Sequence, residues 1–129
     1  EADAVAFQHL NVGRLLLDMS RPHEALVHLE NSVRIFPKFR DEDSIRLRIA
    51  RASHARALLL TSNDNQLRES ALATLEYIVT AMRADSTVRS SRYVAQIAGW
   101  LEEARSQVSG VRRPNALLEN QEPKVDRGI

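Results

Sequence analysis

Cysteine is absent from this 129-residue chain. That excludes a disulfide framework, a thiol nucleophile and a cysteine-bound metal. Glycine and proline number four each, too few for a turn-rich fold, and aromatic residues make up 5%, with Trp100 the only tryptophan. A core short of aromatics but rich in Leu, Ala, Val and Ile suits helices better than a β-sandwich. No apolar run reaches the roughly eighteen residues that a membrane helix needs. No basic stretch followed by an apolar one opens the chain, so no signal peptide is expected and the expected location is cytoplasmic. An opening on Glu1 instead of Met reads as a processed chain or a piece of a larger protein.

Charge of one sign is lacking too. Eighteen basic side chains face seventeen acidic ones, for a net charge of +1. Such a balance supplies no bulk attraction to nucleic acid or to an anionic membrane. The cations are nearly all arginine, since Lys38 and Lys124 are the only lysines. Arg46, Arg48, Arg51 and Arg56 give one segment a basic character that Asp41, Glu42 and Asp43 offset. No compact helix-turn-helix with a basic face is evident, and no direct nucleic-acid contact is expected.

What remains is apolar periodicity, carried by 43% hydrophobic residues in a length that suits one domain. Ala6, Leu10, Gly13 and Leu17 are spaced as one helix face, predicting a helix over about 3–19. Ser20 is placed to cap a second helix whose first turn tolerates Pro22 and which ends at Pro37. Ala25, Leu26, Leu29, Ser32 and Val33 line its inner face. The acidic residues 41–44 suit the start of a third helix, with Ile45, Ile49, Ala52, Ala55 and Leu59 as its stripe. Residues 61–66 read as a loop, and 67–83 as a fourth helix bearing Leu67, Ala71, Leu75, Ile78 and Met82 inward. A fifth helix is expected over about 88–107 with Val94, Ile97, Ala98 and Leu101 inward. Residues 109–129 read as a flexible tail with a short helical turn at about 115–121.

The second and fourth helices repeat each other. Ala25, Leu26, Leu29, Glu30 and Val33 match Ala71, Leu72, Leu75, Glu76 and Val79 at identical spacing. Each is preceded by a helix with a small residue in its buried face, Gly13 in one and Ala55 in the other. On Val12, Gly13, Leu16, Ala25, Leu29, Ser32 and Pro37 the chain resembles the tetratricopeptide repeat family, built of stacked helical hairpins of about 34 residues. His9 and Leu16 stand where that family usually has large aromatics. The second unit keeps Ala55, Leu58, Ala71 and Leu75, with about four extra residues assigned to its inter-helix loop and no closing proline. The resemblance implies an all-α fold: antiparallel hairpins stacked as a short right-handed solenoid of about five helices. Unit one would span about 6–39, unit two about 48–85 and a cap helix about 88–107, within a domain at 1–108.

The resemblance also implies where a ligand would sit, because the first helix of each unit lines a concave groove in that family. Phe7, Leu10, Asn11 and Arg14 fall there from unit one, Ile49, Ser53 and Arg56 from unit two, and Gln96 from the cap helix. Arg14 and Arg56 would stand in equivalent rows, able to grip a carboxylate-bearing or acidic segment with charge-assisted bonds. Phe7, Leu10 and Ile49 equally suit an apolar helix of a partner. The expected function is non-catalytic protein or peptide binding. Two alternatives stay open: an effector-sensing domain of a larger signalling or transcriptional protein, and a structural homodimerisation module.

Chemistry finds little footing. His9, His23, His28 and His54 form no His-Glu-x-x-His pair, and there is no Gly-rich phosphate loop or Gly-x-Ser-x-Gly elbow. His9 and His54 read as half-buried packing residues. No enzyme activity, metal or cofactor is expected.

Overall fold

A computed structural model of the chain describes residues 2–108. The expected tail at 109–129, with its helical turn at 115–121, lies outside the described residues. Five helices follow in order: α1 (Asp3–Asp18), α2 (Pro22–Ile35), α3 (Ile45–Thr61), α4 (Asn65–Ala84) and α5 (Arg92–Val108). A single 3₁₀ turn, Phe36–Lys38, follows α2. Each helix packs chiefly on its neighbours in sequence, while α3 also touches α1 and α5. The result is an all-α stack of sequential helices, as a helical solenoid requires.

Burial follows the repeat. Ala25 and Leu29 of α2 and Ala71 and Leu75 of α4 are all buried, while Leu26 and Leu72 are half-buried at matching positions. One core joins α1, α2 and one side of α3, around Ala6, Leu10, Leu29, Ile35 and Phe36. A second joins another side of α3 to α4 and α5, around Leu75, Ile78, Met82, Ile97 and Leu101. Tyr93 packs against both.

Helix α3 departs from the expected single stripe. Leu47, Ile49, Ala50, Ala52, Ser53, Ala55, Ala57 and Leu59 are all buried, so it is covered on several faces. Its alanines and serine are small enough for α1, α2, α4 and α5 to close around one axis.

The turns also differ from expectation, for reasons of backbone geometry. Ser20 does not cap α2. It adopts a left-handed conformation, φ 59°, and helps close α1, with its N–H donating to the Leu17 carbonyl at 3.0 Å and Arg21 N–H to that of Leu16 at 2.9 Å. Such a hydrogen-bonded left-handed turn satisfies carbonyls that a helix end leaves without partners. The fourth helix starts two residues earlier than expected, because Asp64 accepts from the backbone N–H groups of Gln66 and Leu67 at 2.9 and 3.3 Å. The turn before it is therefore no longer than the one between α1 and α2. The extra residues of the second unit lie in the helices instead, with 20 residues in α4 against 14 in α2. The fifth helix begins at Arg92, after turns between Asp85 and Ser91.

Gly13 sets the closest approach in the first hairpin. A Cβ there would stand 2.6 Å from both Cγ and Cδ2 of Leu29, which is itself fully buried and has nowhere to retreat. Overpacking of this kind costs about 1–3 kcal/mol, whereas replacing a helical glycine by alanine regains about 1 kcal/mol of propensity. Gly13→Ala is therefore expected to lower stability by up to about 2 kcal/mol, read as a lower urea midpoint with the slope unchanged. A raised midpoint would show that the hairpin relaxes around the added methyl.

Candidate interaction surface

The first, third and fifth helices share a surface on which aromatic rings and guanidiniums alternate. In α1, Phe7, Asn11 and Arg14 follow helical spacing and lie on one side. In α5, Tyr93, Gln96, Trp100 and Glu103 do the same. The Arg46 guanidinium carbon sits 4.1 Å from the Phe7 ring centroid. Arg14 and Arg92 flank Tyr93 at 5.0 and 5.3 Å, and Arg56 lies 5.9 Å from the Trp100 ring. Ring faces attract cations at these separations, by about 0.5–1 kcal/mol when exposed.

Polar contacts tie the same residues across the stack. Arg14 Nη2 donates to Gln96 Oε1 at 3.0 Å, linking α1 to α5 over α3. Arg56 Nη2 lies 3.4 Å from Glu103 Oε1. Arg92 reaches the Tyr93 hydroxyl at 3.5 Å. Its hydrogen bond, then that of Arg14 and the charge of both, hold the phenol below its ordinary pKa. Four guanidiniums and the carboxylate of Glu103 make up this set of contacts, and the charge of Arg46 also acts on the Asp3 carboxylate.

The sequence-derived groove residues divide into layers. Asn11 and Gln96 are exposed, and Phe7, Arg14 and Arg56 are half-buried. Leu10, Ile49 and Ser53 are buried at 3%, 7% and 0% exposure. Leu10 of α1 sits in the first core, and helices on either side of α3 cover Ile49 and Ser53, so these three present almost no surface to a ligand. The Ser53 hydroxyl is buried without a protein hydrogen-bond partner. Arg46 and Tyr93, absent from the expected set, are central to the surface. Tyr93 and Trp100 are seven residues apart, two helical turns on one face, which is the signal in the sequence that points to them.

A concavity lies on another side of α3. It is a cleft of about 360 Å³ between α2, α3 and α4, lined by Val33, Arg51, His54, Leu58, Leu67 and Thr74 among others. Arg51 donates to Glu42 at 3.0 Å, and His54 Nε2 stands 4.0 Å from Glu30. Burial pulls the His54 pKa below the ordinary imidazole range, against the opposing pull of Glu30. His54 is thus a neutral half-buried ring near neutral pH. Among the described residues, no group of three or more His, Asp or Glu side chains is placed to hold a metal ion together, and no helix is long and apolar enough to cross a membrane.

No family model, curated protein or solved structure matches this chain. The reading of this surface therefore rests on its geometry.

The His54 environment has a consequence for stability. Its pKa is depressed in the folded state, so the unfolded chain binds more protons as pH falls through the ordinary imidazole range. The associated stability is present above that range and is lost below it. Between about pH 8 and about pH 5 the urea midpoint of the wild type should fall more than that of His54→Gln, the other three histidines being common to both. Parallel falls would show that His54 titrates alike in both states.

Proposed function

We propose that this chain is a non-catalytic binding module, related in design to the tetratricopeptide repeats, that takes an acidic segment of a partner protein across α1, α3 and α5. One observation carries this reading: four arginines are held against three aromatic rings on one surface, with Glu103 beside Arg56 and Asp3 near Arg46 as carboxylates at its edge. Guanidiniums packed on rings lose less side-chain freedom when they bind, and their remaining N–H donors suit carboxylates. The exposed amides of Asn11 and Gln96 add donors and acceptors for a partner's backbone. A right-handed repeat superhelix, with α1–α2 and α3–α4 as units and α5 as cap, accounts for the paired burial of Ala25 with Ala71 and Leu29 with Leu75. A cytoplasmic location fits the lack of cysteine.

Two other readings have an observation each. The cleft beside His54 is large enough for a small effector, as an effector-sensing domain of a signalling or transcriptional protein would need. Val5, Val12, Leu15 and Met19 form an exposed apolar stripe along α1, which suits a homodimer.

Trp100, the only tryptophan, lies within the surface and reports on it directly. A peptide alternating glutamate with leucine should shift its fluorescence saturably. Binding should weaken at least tenfold in the double variant Arg14→Glu/Arg92→Glu, and should weaken as salt is raised. Equal affinity in the variant and the wild type rejects the arginine surface.

A further inference from the structure

His9 of α1 and His28 of α2 are nineteen residues apart in sequence, yet their Nδ1 atoms stand 3.1 Å from one another. The ring centroids are 5.3 Å apart and the planes tilt by 37°. Both rings are half-buried, so solvent reaches them. Val5 and Val12, four residues before His9 and three after it, flank it on α1, and Val27 adjoins His28; all three valines are exposed.

We propose that His9 and His28 form a two-imidazole site for a first-row divalent transition-metal ion of the nickel, copper and zinc group. Imidazole nitrogen suits these ions, with bonds of about 2.0–2.1 Å to zinc. An ion placed about 2.05 Å from both Nδ1 atoms subtends an angle of about 100° between them, from half the 3.1 Å separation over the bond length. That angle falls between the right angle of square or octahedral coordination and the tetrahedral angle. The nitrogens are therefore already at chelating distance, and turning each lone pair by about 40° off the line between them brings both onto one ion.

Proton bookkeeping favours the exchange. In the metal-free pair, one Nδ1 carries the hydrogen that the other accepts. Moving that hydrogen to Nε2 of the same ring frees both Nδ1 lone pairs with no net loss of protons. The helical hairpin fixes the spacing beforehand, so little ordering remains for the ion to impose. Two protein ligands leave further coordination positions to water.

The test is titration of the tag-free chain with nickel(II), and separately zinc(II), by calorimetry in a non-coordinating buffer. One ion per chain is expected, with affinity at least tenfold lower in His9→Gln and in His28→Gln and unchanged in His23→Gln and His54→Gln. Glutamine keeps polarity at both positions, and far-ultraviolet circular dichroism verifies the helices. In the wild type itself, substoichiometric copper(II) should broaden the ring-proton resonances of His9 and His28 while those of His54 persist. Absence of saturable binding up to millimolar ion, or binding that survives in both glutamine variants, would overturn the proposal. So would broadening of the His54 signals ahead of those of His9 and His28.

Discussion

The burial of α3 is the constraint on which the rest of the structure depends. Eight of its seventeen residues are buried, and five of the eight are alanine or serine apart from the leucines and isoleucine. Small side chains let four other helices approach one axis without leaving voids, and close packing rewards that approach. The two cores meet along this helix: Leu47, Ile49, Ala50 and Ala57 belong to the first, and Ala52, Ala55 and Leu59 to the second. A bulky residue in place of Ala50 or Ala57 would press on the first core, and one in place of Ala52 on the second.

The surface of aromatic rings and arginines is a product of the same arrangement. Because α1 and α5 both lie against α3, Arg14 can reach Gln96 and Tyr93 although they belong to the fifth helix. Arg56 reaches from α3 to Trp100 and Glu103 in the same way. The bridging contacts are individually modest, since exposed ion pairs and cation–ring contacts are each worth about 1 kcal/mol or less. Their structural effect is to hold the arginine side chains in place along one face, which is what a binding surface requires more than it requires stability.

Much of the architecture is legible in the residues, because helix periodicity and the repeat both express burial. The paired Ala-x-x-x-Leu positions at 25 and 29 and at 71 and 75 come out buried as their spacing predicts. The inner layer of the groove is less legible. Leu10 and Ile49 are apolar whether they line a groove or fill a core, and only the contact of α1 and α5 with α3 decides between the two. Ser20 shows the same limit at a turn. A serine before a proline suits a helix start by type, but here its backbone closes the preceding helix instead. The His9 and His28 contact depends on the register of two antiparallel helices, which no local spacing encodes.

The most direct test of the central claim is to map amide chemical-shift changes while an acidic peptide is added to the isotopically labelled chain. The largest changes are expected at Asn11, Arg14, Arg46, Tyr93, Gln96 and Trp100, on the face shared by α1, α3 and α5. Changes concentrated instead at Val33, Arg51, His54 and Leu67 would place binding in the cleft between α2 and α4, and would contradict the account.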